Sequence, residues 1–249
     1  MVLAGQYLER SVVVGDLDAL YHRGKREPPC AIASPHPAVG GSMIAPVIAE
    51  LAWALTRAGH PTMRFDYRGI GASRGESRHE AGSMQIGDVS DEVEDLYKIT
   101  DQLLATTRMP LACAVGYSFG AKVVLEAAGD RRFSHVVLVA PPNRLADFGG
   151  LGNLRKPLLV VCAHQDAYCD RAALQLPEQA KIEVIPHADH FFGRGLTEMG
   201  KAVATWLRGD RPEYVAPPDP PDEDAPEHRD LELEEGPPDE VLELDTDPK

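Results

Sequence analysis

The sequence lacks any long apolar run and any leader-like N-terminus. No stretch approaches the roughly 18 to 20 consecutive apolar residues that a membrane-spanning helix needs. Residues 1–11 also lack the basic region followed by an apolar core that marks a secretory signal peptide. We therefore expect a protein that has no membrane span and stays in the cytoplasm.

Cysteine is scarce, and the four cysteines show no metal-site pattern. Neither a CxxC pair nor a Cys/His spacing suited to a metal ion occurs. Cys30, Cys113 and Cys162 fall in or beside apolar runs, where a free cysteine behaves as a small buried hydrophobe. Cytoplasmic thiols are kept reduced, so we expect neither a disulfide nor a bound metal.

Negative charge is abundant but concentrated at one end. Residues 210–249 carry 16 Asp and Glu against three Lys and Arg, so they hold nearly all of the net charge of −14. Like charges, many prolines and low hydrophobicity prevent a packed core. We predict one near-neutral domain over residues 1–209, with no nucleic-acid partner, and a disordered acidic tail over residues 210–249. The tail is interpreted as a solubilising appendage or, alternatively, as a docking segment for a protein partner through residues 240–244.

Strand-like and helix-like segments alternate along residues 1–209. This alternation predicts a mostly parallel, twisted sheet with helices on both faces, opened by an N-terminal hairpin. The predicted strands cover residues 11–14, 19–22, 30–34, 62–65, 111–116, 136–140, 158–163 and 182–185. The predicted helices cover residues 44–57, 89–106, 119–128 and 196–207.

The segment Gly-Tyr-Ser-Phe-Gly at residues 116–120 is the most informative motif. The pattern G-x-S-x-G is weak by itself, but here it follows a predicted strand and leads into a predicted helix. That setting is typical of a nucleophile elbow, in which a sharp turn presents a serine oxygen at a helix N-terminus. We therefore predict that Ser118 is a nucleophile; the alternative is a glycine-rich turn that caps a helix.

A serine hydroxyl needs a base, and the base needs an orienting acid. In this class of fold the acid and the histidine follow the serine along the chain. Asp166 comes directly after the predicted strand 158–163, and His190 follows the strand 182–185. We predict that His190 is the base and Asp166 the acid. The rivals in the same loops are His164, Asp170, His187 and Asp189.

Backbone N–H groups are expected to hold the oxyanion. One donor is predicted to be Phe119, the residue after the nucleophile. The other should come from the loop after residues 30–34, where two prolines cannot donate. His36 is the first candidate there and Ala38 the second.

A large lid is not expected, because only about 16 residues separate two of the later predicted strands. We predict an open or shallow pocket. Its apolar wall is assigned to Leu145, Phe148 and Leu151 in this connection.

Several motifs resemble those of small bacterial α/β-hydrolases close to the dienelactone-hydrolase-like group. Residues 34–43 resemble the family's His-Pro-His-Pro…Gly-Gly-x-Met, and residues 64–73 look like its Arg-Phe-Asn-Phe-Arg-Gly-Val-Gly-x-Ser. Residues 116–120, 140–142 and 188–192 also match. Ser34 stands where the family motif begins with histidine, which is a departure in the oxyanion loop. Dienelactone hydrolases proper use a cysteine nucleophile, and Ser118 argues against that chemistry.

The resemblance implies the α/β-hydrolase fold, a Ser-Asp-His triad at Ser118, Asp166 and His190, and no cofactor. Together with the residue pattern it predicts a serine hydrolase acting on a small or medium carboxylic ester or thioester. Two alternatives stay open: a non-catalytic or dual-role scaffold whose tail recruits a partner, and a peptidase or amidase.

Overall fold

The computed structural model describes residues 8–209 and has one eight-stranded sheet at its centre. The strands are β1 (Arg10–Val14), β2 (Leu17–His22), β3 (Cys30–Ala33), β4 (Thr62–Phe65), β5 (Ala112–Tyr117), β6 (Phe133–Val139), β7 (Leu158–Ala163) and β8 (Lys181–Ile185). The helices are α1 (Pro46–Arg57), α2 (Ser90–Thr107), α3 (Phe119–Ala127) and α4 (Leu196–Arg208).

The strands lie in the order β1-β2-β4-β3-β5-β6-β7-β8. β2 is antiparallel to both β1 and β4, and every other neighbouring pair is parallel. The carboxyl ends of β3 to β8 therefore share one edge, which is where open α/β sheets place their ligands.

The apolar core lies on both faces of the sheet. On one face α2 and α3 cover residues such as Ala114 and Val136, and on the other α1 and α4 cover Val115 and Val137. Consecutive residues of a strand point to opposite faces, so strands buried on both sides are apolar throughout. The predicted α/β-hydrolase architecture, with helices on both faces, is confirmed.

No large lid domain separates β6 from β7. Residues 140–157 join these strands and contain one short 3-10 helix, Gly149–Asn153. This connection is too short to fold into a separate layer, and the prediction of a lidless architecture is confirmed.

Most element boundaries agree with the sequence prediction to within one residue; β2 begins two residues earlier than predicted, and two other elements differ for local reasons. α1 begins at Pro46 rather than at residue 44, because residues 42–45 form a turn in which the Ala45 N–H donates to Ser42 O at 3.1 Å, while the Met43 N–H donates to Asp66 Oδ1 at 2.6 Å. Proline is also favoured in the first turn of a helix. β6 begins three residues earlier than predicted. The prediction followed the apolar run, which does not include the half-buried polar side chains of Ser134 and His135 at the start of the strand.

None of the helices in residues 8–209 is long and apolar enough to cross a membrane. All four cysteines are free and buried. The predicted acidic tail, residues 210–249, lies outside the described residues, so its disorder and the domain boundary at residue 209 stay predictions.

Candidate active site

Ser118 occupies a strained turn between β5 and α3. Its φ of 53° and ψ of −118° lie in a region that residues with a side chain rarely adopt. Such a conformation costs on the order of 1–3 kcal/mol and persists only where its surroundings enforce it. Here the Ser118 N–H donates to Val139 O at 2.9 Å, and Ser118 O accepts from the Ala121 N–H at 2.8 Å.

Two glycines make this turn sterically feasible. A Cβ on Gly116 would lie 2.1 Å from Gly120 O, so the backbone closes on itself across the turn. A Cβ on Gly120 would lie 2.4 Å from Ala33 O and 2.7 Å from Ser34 O. The first turn of α3 therefore rests directly on the end of β3, where the candidate oxyanion loop begins.

The side chains of Ser118, His190 and Asp166 form a continuous hydrogen-bonded chain. Ser118 Oγ lies 2.9 Å from His190 Nε2, and His190 Nδ1 lies 2.9 Å from both carboxylate oxygens of Asp166. A carboxylate beside Nδ1 requires a proton on that nitrogen, which leaves Nε2 free to accept the serine proton. This arrangement can generate a nucleophilic serine oxygen.

Asp166 is fixed by the loop that follows it. Its Oδ1 accepts from the N–H groups of Tyr168 at 2.8 Å and Cys169 at 3.2 Å, and its side chain is 1% exposed. The Tyr168 ring also packs edge-on against His190, with 4.8 Å between ring centroids. The same short loop therefore orients both the acid and the imidazole.

Tyr117 fixes the other side of the histidine loop. Its hydroxyl donates to His190 O at 3.1 Å from the last position of β5. Burial raises the pKa of Tyr117, and the charges of Asp166 and Asp189 raise it further. The phenol therefore stays protonated and keeps its donor role at neutral pH.

The rival side chains serve local turns. Asp189 Oδ1 accepts from the N–H groups of Phe191 and Gly193, both at 3.1 Å, and Asp170 caps the 3-10 helix Arg171–Ala173. His164 and His187 are exposed. The structure thus brings Asp166 and His190 to Ser118 and gives the two rival aspartates other hydrogen-bond partners.

The two residues predicted first as oxyanion donors pack against each other through their side chains, and neither N–H group is engaged among the described residues. Within residues 8–209 neither the Phe119 N–H nor the His36 N–H donates to another protein atom, and the two side-chain rings pack with centroids 4.6 Å apart. The N–H of Ala38, the second choice, already donates to His36 Nδ1 at 3.2 Å. This hydrogen bond favours His36 over Ala38 as the second donor.

The three side chains predicted to form the apolar wall of the pocket are buried or half-buried. Phe148 and Leu151 are 5% and 0% exposed and belong to the core on the α2 and α3 side of the sheet, while Leu145 is half-buried. Their contact with substrate stays a prediction.

The sequence reasoning missed a set of exposed apolar side chains on the loops near this edge. Phe191 is 64% exposed beside His190, and Val39 is 47% exposed in the loop after β3. Their position next to motif residues was the available signal, since large apolar side chains beside a motif are candidates for substrate contact. Ile44 and Met84 complete this exposed apolar set.

Within the described residues, no group of three or more His, Cys, Asp or Glu side chains is arranged to hold a metal ion.

Comparisons with known proteins agree with this fold. Residues 38–148 match a family model described as serine aminopeptidase, S33. An alpha-beta serine hydrolase homologue from Coxiella burnetii is 26% identical over 81% of this chain and 100% of that chain, with a TM-score of 0.69. A lidless a/b serine hydrolase from Xanthomonas campestris is 24% identical over 84% and 97% of the two chains, with a TM-score of 0.67. The dienelactone hydrolase of Anabaena variabilis is 23% identical over 82% and 98%, with a TM-score of 0.64.

Proposed function

We propose that the chain, which is similar to small bacterial α/β hydrolases, cleaves a small or medium carboxylic ester or thioester. The observation that carries this proposal is the hydrogen-bonded chain from Ser118 through His190 to Asp166. Three groups in this order are what a serine nucleophile needs for acyl transfer.

The reaction proceeds by two acyl transfers. Ser118 Oγ attacks the carbonyl carbon while His190 Nε2 accepts its proton, and the N–H groups of Phe119 and His36 hold the oxyanion. The imidazolium, stabilised by Asp166, protonates the departing alkoxide or thiolate. Water then attacks the acyl-enzyme with His190 as base, and the collapse of the second oxyanion returns the proton to Ser118 and releases the acid.

The openness of the site favours a short or medium acyl group. Ser118 is half-buried, and the connection from β6 to β7 builds no lid. The exposed side chains of Val39 and Phe191 stand on the two loops that carry the oxyanion donor His36 and the base. An apolar acyl chain would cover part of their surface, at about 25 cal/mol per Å². We therefore expect kcat/KM to rise over the first few methylenes of the acyl chain.

The test is a chain-length series of p-nitrophenyl esters and matched thioesters, with the Ser118→Ala variant as control. Wild type should turn over short and medium substrates, and the variant should lose about 10⁴-fold or more of kcat. A fluorophosphonate should label wild type at Ser118 and leave the variant unlabelled. Absence of both turnover and labelling would remove the enzymatic proposal and favour the scaffold alternative.

A second candidate function is cleavage of an amide bond. The family model that matches residues 38–148 is described as a serine aminopeptidase, and the same triad geometry serves esters and amides. Aminoacyl p-nitroanilides compared with the corresponding esters decide between the two. Turnover of the anilides at rates matching the esters would favour the peptidase.

A further inference from the structure

The loop that carries His36 is hydrogen-bonded to the segment that joins β4 to α2, residues 66–89, which we call the outer segment. The Gly82 N–H donates to Ala38 O at 2.7 Å, and His36 Nε2 lies 3.1 Å from Gln85 O. Two hydrogen bonds from one short segment therefore fix the position of the candidate oxyanion loop.

The His36 ring is neutral in this arrangement. Its Nδ1 accepts from the Ala38 N–H, so the proton sits on Nε2 and is donated to Gln85 O. His36 is 6% exposed, and burial lowers its pKa. The uncharged His36 ring thus links the backbone of its own loop to the outer segment through one hydrogen bond at each nitrogen.

His79, from the same outer segment, touches both residues that offer the oxyanion donors. Its ring packs edge-on against the rings of His36 and Phe119, with 5.1 Å between centroids in each case. Its Nε2 lies 3.0 Å from Glu92 Oε1 on α2, and the two side chains are 9% and 3% exposed. Burial raises the pKa of Glu92, while the adjacent His79 lowers it.

We propose that His79, fixed by Glu92, is a positioning residue that holds the His36 and Phe119 N–H groups in oxyanion-binding geometry. This proposal rests on the proposed serine hydrolase function. Donors must lie about 2.7–3.1 Å from the oxyanion, and a displacement of about 1 Å can cost about 10²-fold in rate. The His79 ring limits such displacement because it packs against both donor residues at once.

The decisive experiment compares His79→Ala with wild type in kcat, KM and the affinity for an alkylboronic acid. A boronate adduct of the serine resembles the tetrahedral intermediate, so its affinity depends on the oxyanion donors. We expect kcat and boronate affinity to fall together by about 10- to 100-fold, below the roughly 10²- to 10³-fold lost with a whole donor, while KM changes less than about 2-fold.

Substitutions of Glu92, the hydrogen-bond partner of His79, give a second test. Glu92→Gln keeps an oxygen that can accept the His79 N–H, so it should retain kcat within about 3-fold, whereas Glu92→Ala should resemble His79→Ala. The double alanine variant should be no worse than either single variant, since both act through one contact. If an alanine variant fails to fold, kcat and boronate affinity are compared between wild type and His79→Gln. Glutamine keeps a polar partner for Glu92 but lacks the ring.

A matched control is His60→Ala. His60 is a fully buried histidine whose Nδ1 lies 2.9 Å from Pro28 O, just before β4 and thus at the opposite edge of the sheet. The His60→Ala variant should have a lower Tm than wild type but the same kcat and boronate affinity. If His79→Ala lowers only the Tm in the same way, the positioning role is refuted while the hydrolase function stands. A wild type without turnover or fluorophosphonate labelling would refute both.

Discussion

Alanine at position 120 tests how closely the nucleophile turn depends on its contact with β3. Two effects oppose each other at Gly120. Alanine is the better helix former by about 0.8–1.0 kcal/mol, and position 120 lies in the first turn of α3. The added Cβ, however, would meet Ala33 O at 2.4 Å and Ser34 O at 2.7 Å.

The steric effect is the larger of the two. Both contacts are backbone oxygens at the end of β3, which cannot rotate away, and real Cβ atoms essentially never approach closer than 3.0 Å. Relief requires α3 to move by roughly 1 Å. Overpacking of this kind costs about 1–3 kcal/mol, so after the gain in helix propensity we expect a net loss of up to about 2 kcal/mol and a Tm lower by up to roughly 8 °C.

The same movement should impair catalysis more than stability. It would separate the Phe119 N–H from the His36 N–H, and a shift of that size can cost about 10²-fold in kcat. Thermal unfolding and short-chain ester hydrolysis measure the two effects. Gly129→Ala is the matched control, because a Cβ there meets nothing within 4 Å. A Gly120→Ala variant with the Tm and kcat of the Gly129→Ala variant would show that the close approach has no such role.

Two further substitutions test the acid and a buried carboxylate. Asp166→Asn should lower kcat by about 10³- to 10⁴-fold, because an amide cannot hold the imidazole tautomer as a carboxylate does; ester hydrolysis across pH measures it. Asp66→Asn should raise the free energy of unfolding at pH 7, because burial raises the pKa of Asp66 and makes its charge unfavourable. Asparagine still offers an oxygen to the Met43 N–H, and urea unfolding at several pH values measures the difference.

The sign of the pH effect at Asp66 follows from proton binding. Its pKa is higher in the folded than in the unfolded chain, so the folded state binds the proton more tightly. Stability from this group is present below about pH 4 and is lost as pH rises through the folded pKa. The advantage of asparagine should therefore grow with rising pH. A stability advantage of Asp66→Asn that grows as pH falls would contradict this reasoning. For the catalytic acid, an Asp166→Asn variant with kcat within about 3-fold of wild type would contradict the role assigned to Asp166.

Much of the architecture could be predicted because its signals are local. Strands buried on both faces are apolar throughout, so the runs at residues 62–65 and 158–163 were located to the residue. The G-x-S-x-G segment between a strand and a helix indicated the turn at Ser118, whose positive φ the structure displays. The order of strands along the chain placed Asp166 and His190 at the same edge.

The sequence by itself determined the fold class, the turn at Ser118 and the loops from which its partners come, because each depends on residues close together in the chain. Only the tertiary structure decided which acid meets His190 and that the Ala38 N–H is already engaged. The contact of His79 with Phe119 and the burial of Phe148 were likewise settled there. These features depend on side chains from distant segments packed within a few ångströms, and local propensity carries no information about such distances.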